Sequence, residues 1–262
     1  MTGRVPEPAR AESAAGGRVR LLGALLAAVG FLTALPVPEG WASRGHRGAS
    51  AFFPLVGWAL GAVPAALIFA VPDPLLGAAL GIPALALLTG GLHWDGFADV
   101  MDAGLAPVGA ERRREILSDS RVGAHAAWGV AALVLLQVVA LSGCPWWAVA
   151  LGPALGRWVM VASLAAAPAL PGSSVGARFR SSARPRAATV LMAVTFGAFI
   201  VVVPAPLPMA LAAVGAVAVA ALAAAVLVGR LGGLNGDGHG AVGLVAETVF
   251  WVLAGLLPVG TA

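Results

Sequence analysis

The chain has 262 residues, 60% of them hydrophobic and 11% charged, with a mean hydropathy of +0.92. That balance excludes a water-soluble domain, and the length suits one membrane domain with no second globular one. The formal charge of +4 rests on 16 arginines and no lysine against 12 acids, with a single cysteine, Cys144, which excludes a disulfide framework or a thiolate metal cluster.

The first 20 residues are rich in Ala, Gly and Arg and carry Pro6, Glu7, Pro8 and Glu12. They read as a disordered cytoplasmic tail, and residues 21–262 as a single transmembrane catalytic domain. Apolar runs then fall near 21–35, 54–71, 75–92, 126–142, 146–168, 189–203, 208–228 and 241–258. From residue 36 onward, arginine-bearing connections alternate with ones that hold none: 71–74, 142–145 and 204–208. With every basic connection inside, the chain makes seven crossings. The first run, Leu21 to Leu35, would join two basic regions and is short at about 22 Å of helix. It is therefore predicted to be re-entrant or interfacial. The fold class expected is all-α, a polytopic transmembrane helical bundle with about seven spans, in contact with membrane lipid. Its arginines read as a topology signal, with no nucleic acid as partner.

Polar side chains are scarce enough that their clustering carries information. The densest cluster runs from His93 to Asp102, followed by Asp119-Ser120-Arg121. Asp95, Asp99 and Asp102 are spaced i, i+4, i+7, which places all three carboxylates on one face of a helix. Like charges so placed repel, and carboxylates without thiolates favour a hard cation such as Mg²⁺, which takes one or two carboxylates together with substrate phosphates. A solvated acidic turn is the bland alternative. His93 suits a general base, a phosphate contact or a metal ligand, and equally an interfacial hydrogen-bonding residue. Arg112, Arg113 and Arg114 read as topogenic charges or phosphate ligands, with Arg121 the better phosphate candidate.

A second polar island spans Arg230 to Gly240, and five of its eleven residues are glycine. Such a backbone suits close approach to a phosphate or a tight turn between helices. Arg157 and Glu247 lie inside apolar runs, where charges are costly and expected to meet in the bundle. Together these groups suggest a mouth that handles a Mg²⁺-bound pyrophosphate.

Gly90-Gly91-Leu92-His93-Trp94-Asp95-Gly96-Phe97-Ala98-Asp99, Asp102 and Asp119-Ser120-Arg121-Val122-Gly123 resemble the cobalamin synthase (adenosylcobinamide-GDP ribazoletransferase) family. Segments 31–38, 51–57 and Gly232 to Glu247 resemble it in the same order. The resemblance implies that adenosylcobinamide-GDP reacts with α-ribazole or its 5′-phosphate and GMP is released. It also implies Mg²⁺ dependence and an inner-membrane location with the site facing the cytoplasm. Residue by residue, it implies metal ligation by Asp95, Asp99, Asp102, Asp119 and Asp237, and catalysis by Asp95 and Asp99 with His93 as base. Phosphate contacts would come from Arg121, Asn235 and Gly236. Ser118 and Gly238-His239 depart from the family's usual residues. A CDP-alcohol phosphotransferase would perform a reaction of the same form, but its acidic motif places Ala-Arg after Asp-Gly, where this chain has Ala98-Asp99. A transporter would use Arg157, Glu247 and the aspartates as an ion path, yet most polar groups gather at one surface.

Overall fold

In lipid, a backbone must satisfy its own hydrogen bonds, and runs rich in Ala, Leu and Val do so as helix. A computed structural model describes residues 7–38, 40, 48–171, 183–202 and 206–257. In chain order its helices are α1 (Glu7–Leu32), α2 (Phe53–Ala70), α3 (Pro74–Thr89), α4 (Leu92–Leu105), α5 (Ala110–Leu117), α6 (Ala124–Gly143), α7 (Trp146–Ala166), α8 (Pro185–Val202), α9 (Pro206–Leu231) and α10 (Gly236–Leu256), with a 3₁₀ turn, Ala49–Phe52, leading into α2. No strand occurs among the described residues, only an isolated bridge between Ala169 and Leu234.

Five stretches among the described residues are long and apolar enough to cross a membrane, and a sixth follows if α3 and α4 count as one broken span. The sequence's run at 189–203 falls in α8, an 18-residue helix that continues to the edge of the described residues. The seven apolar runs after residue 50 are thus each carried by a helix over their described residues. Between the runs at 75–92 and 126–142 lie two further helices, α4, which carries the i, i+4, i+7 aspartates, and α5.

The bundle is organised around α7, whose apolar window is 78% buried. Small residues make this possible by letting backbones touch. Gly57 and Gly61 of α2 lie against the carbonyls of Pro153 and Ala150, and Gly152 and Gly156 of α7 face Trp251 and Gly243 of α10. Any Cβ at these positions would strike its neighbour. Arg157 and Glu247 meet here as a buried ion pair, as their placement in apolar runs required.

α1 begins at Glu7, inside the segment expected to be a disordered tail. Its C-terminal half does not cross the bundle. Gly48 lies against Ala24, Phe31 stacks on Phe53 at the start of α2 with ring centroids 5.5 Å apart, and the Ala34 amide donates to the Leu88 carbonyl at the end of α3, at 2.7 Å. The start of α2 and the end of α3 lie at the same end of the bundle, so this half of α1 runs across that end. The interfacial reading of residues 21–35 therefore fits the contacts.

Candidate functional site

Two consecutive glycines build the site's platform. Gly90 and Gly91 both adopt positive φ, 62° and 71°, a region that costs a Cβ-bearing residue about 1–2 kcal/mol. Gly90 closes α3, Gly91 opens α4, and the two helix axes bend by 93°. The 14-residue α4 thereby leaves the axis of α3 and packs against α6 and α10, with Trp94 near its start beside Gln137, Met101 beside Gly129, and Asp102 at the N-terminus of α6.

On α4, Asp95 is exposed while Asp99 and Asp102 are half-buried. Gly96 sits directly against the backbone of Asp237, where a Cβ would come within 2.9 Å of the Asp237 Cα. That contact brings Asp237, in the first turn of α10, up to the carboxylate row from a distant part of the chain. Asn235 caps the same helix: its Oδ1 accepts from the Gly238 amide at 2.9 Å, and its Nδ2 donates to Asp237 Oδ2 at 2.6 Å. Gly236, beside it, is exposed. The gathered charge shows in Asp99, which is pushed up to about 6 by partial burial first and then by Asp95, Asp237 and Asp102. Repulsion of this kind is what a bound cation relieves. No group of three or more His, Cys, Asp or Glu among the described residues forms a ready-made metal cage. Mg²⁺ asks for less, one or two carboxylates plus phosphate oxygens, and Asp95, Asp99 and Asp237 fit that requirement.

The other predicted carboxylates are already engaged. Asp102 accepts from the Gly123 and Ala126 amides at 2.6 and 2.9 Å, capping α6 from another helix. Asp119 holds Arg121 through contacts from Nε at 3.0 and 3.1 Å and from Nη2 at 2.6 Å. The guanidinium and the Arg121 amide draw Asp119 down to about 2. Both lie on an open loop, with the Arg121 side chain 86% exposed.

The structure does not bring His93 to the carboxylate face. Two residues before Asp95, it points into the contact between α4 and α10 beside Gly240, 2% exposed, with neither ring nitrogen hydrogen-bonded among the described residues. Next to it on α4, the Trp94 indole donates to Gln137 of α6 at 3.3 Å, and Gln137 donates to Thr248 of α10 at 2.9 Å. This buried polar chain ties α4 to the spans. Sequence reading passed over it, although a glutamine within the apolar run 126–142 was the available signal.

The arginine triplet has a local use as well. Arg113 donates to the Ala106 carbonyl at 3.0 and 3.1 Å, and Arg114 donates to the Leu231 carbonyl at 3.3 Å. Arg230 donates to the Gly104 carbonyl at 2.6 Å, while Arg112 pairs with Glu115. Arg113, Arg114 and Arg230 thus satisfy carbonyls at the C-terminal ends of α4 and α9, where cations are favoured. In the glycine island, Gly233 packs against the Ala169 backbone and Gly232 has φ 86°. These two glycines serve the chain's own close turn, whereas Gly236 stays open to a ligand.

Comparison with known proteins shows the family of the chain. The family model for cobalamin-5-phosphate synthase matches residues 24–255. An adenosylcobinamide-GDP ribazoletransferase from Deinococcus radiodurans is 38% identical over 233 residues, covering 86% of this chain and 82% of that one. Proteins of the same name from Desulforamulus reducens and Brucella anthropi are 32% and 33% identical, over 90% and 92% of this chain and 98% of each relative. No solved structure matches.

Proposed function

The chain belongs to the cobalamin-5-phosphate synthase family, and from that premise we propose how its carboxylate row carries the reaction. The protein is an adenosylcobinamide-GDP ribazoletransferase, joining the activated corrinoid to ribazole in cobalamin synthesis. We assign the chemistry to the junction of α4 with α10, in the cytoplasmic membrane and facing the cytoplasm, with α-ribazole or its 5′-phosphate as acceptor.

The observation that carries this assignment is the contact of Gly96 with Asp237, which sets a third carboxylate beside Asp95 and Asp99 at an open helix N-terminus. Asp95 and Asp237 would hold Mg²⁺ against the pyrophosphate, and the ion would neutralise charge on the phosphoryl oxygens. Asn235 fixes the Asp237 carboxylate, and the exposed turn at Gly236 presents backbone amides to a phosphate. Arg121 stands on the neighbouring loop as a further phosphate contact. A ribose hydroxyl attacks the phosphorus attached to the corrinoid side, its P–O bond forms, and the bond to the GMP phosphate breaks. Asp99, raised to about 6, is suited to take the hydroxyl proton at neutral pH. His93 lies beneath this face and would support α4 from inside.

The test is GMP release and cobalamin formation by membranes containing the chain, given adenosylcobinamide-GDP, α-ribazole and Mg²⁺. Joint formation of both products, lost in Asp95→Asn and Asp99→Asn, supports the assignment. Full turnover in either folded variant removes that residue from it.

A further inference from the structure

Away from the carboxylates, the same end of the bundle holds a cavity of about 940 Å³ between α1, the 3₁₀ turn and α8. Its rim carries Arg20, Arg184 and Arg186, and its walls are apolar, among them Leu21, Phe52, Val190 and Leu191. All three arginines are exposed, and none forms an ion pair with the acids among the described residues. This differs from the arginines near α4, which are spent on carbonyls, Glu115 or Asp119.

We propose that this groove binds one anionic glycerophospholipid from the surrounding leaflet, with the phosphate at the three guanidiniums and the acyl chains along α8. The charge at the rim matches a phosphodiester, and guanidinium forks suit phosphate oxygens. The apolar wall does not end at the groove. Val190 and Val194 are 64% and 62% exposed on the outer side of α8, so the surface continues into the part of the helix that faces lipid. A soluble nucleotide would meet the arginines but leave that wall bare, whereas a diacyl lipid covers both. The N-terminal end of α8, at Pro185, adds the positive end of a helix dipole beside the rim. The Arg184 amide is held by Ser50 Oγ at 3.0 Å, which ties this rim to the turn that opens α2. A lipid seated here would fasten α1 to α8 across the end of the bundle.

The experiment compares the full chain and its variants in detergent after exchange, with phosphatidylglycerol, phosphatidylcholine, or inorganic pyrophosphate added, reading bound lipid by mass spectrometry and thermal stability in parallel. The wild type is expected to retain about one phosphatidylglycerol and to be stabilised by it more than by phosphatidylcholine. R20Q/R184Q/R186Q is expected to lose that preference by at least about tenfold. Because the arginines also read as topology signals, Ala187→Trp provides a second variant that fills the groove and keeps the charges; it too should lose the bound lipid. An equal response to both lipids in the wild type overturns the proposal, as does undiminished preference in Ala187→Trp. Stabilisation by pyrophosphate alone, abolished in the arginine variant, would instead make the groove a soluble-anion site.

Discussion

Aspartates on α4 and on the loop after α5 look alike in sequence, yet their surroundings divide them. Asp95 and Asp99, joined by Asp237, gather without a cationic partner among the described residues, whereas Asp102 is consumed by two backbone amides and Asp119 by Arg121. The difference teaches that an acidic cluster is two things here: a row held in mutual repulsion, ready for a cation, and a pair of structural braces around it. Neutralising the first set should remove turnover and spare the fold. Neutralising the second should do more to the fold than to the chemistry.

The largest effect is expected at Asp99. Asp99→Asn should lower kcat by about 10²–10³-fold, on the scale seen when one preorganised charge-handling group is removed, with little loss of thermal stability. A comparable loss of stability would break the division. Next comes the buried pair under the row. Removing Arg157 or Glu247 alone leaves an uncompensated charge and should cost about 3–5 kcal/mol, while Arg157→Met with Glu247→Leu should recover much of it. Denaturation of all three variants checks this, and a double variant as unstable as either single one would contradict it.

Asp102→Ala should cost about 1–3 kcal/mol through its two orphaned amides, and the Mg²⁺ dependence proposed for the row should stay near wild type. If the Mg²⁺ requirement instead rises many-fold, Asp102 belongs with the row. The smallest change is expected for Arg121→Gln, which should raise KM for adenosylcobinamide-GDP by several-fold and leave stability within about 0.5 kcal/mol, because its pair with Asp119 is exposed.

Acidity gives a separate handle on the same contrast. Asp99 is raised, so without a cation its ionisation opposes folding: stability is fullest below the ordinary carboxylate range and is lost as pH climbs to about 6. Asp119 is lowered, so its contribution is present above that range and disappears as pH falls toward about 2. If Asp99 accepts the proton, kcat/KM should fall with one-proton slope as pH drops through about 6. Added Mg²⁺ should move that limb to lower pH, and an Asp99→Asn variant with residual activity should lack it.

Much of this was legible in the chain. Arginine-free connections and apolar runs marked the helices, the i, i+4 spacing put Asp95 and Asp99 on one face, and two charges in apolar runs foretold the pair of Arg157 with Glu247. What escaped was set by contacts far apart in sequence. Spacing gave Asp102 the same face as its neighbours but could not show that Gly123 leaves room for its carboxylate. Nor could it show that Arg113 and Arg114 reach carbonyls rather than phosphate. His93 was hidden for a related reason: with Gly96 turned toward Asp237, the ring two positions before Asp95 must enter the bundle.

The elbow at Gly90-Gly91 works as a depth gauge. Without it, residues 74–105 would form one rod of about 48 Å and lift the acidic row far above the N-terminus of α10. By folding the rod over, two residues lacking side chains keep the row level with Asp237 at the start of α10. A lengthened linker there would leave every charged residue in the sequence and still separate the two halves of the proposed reaction centre.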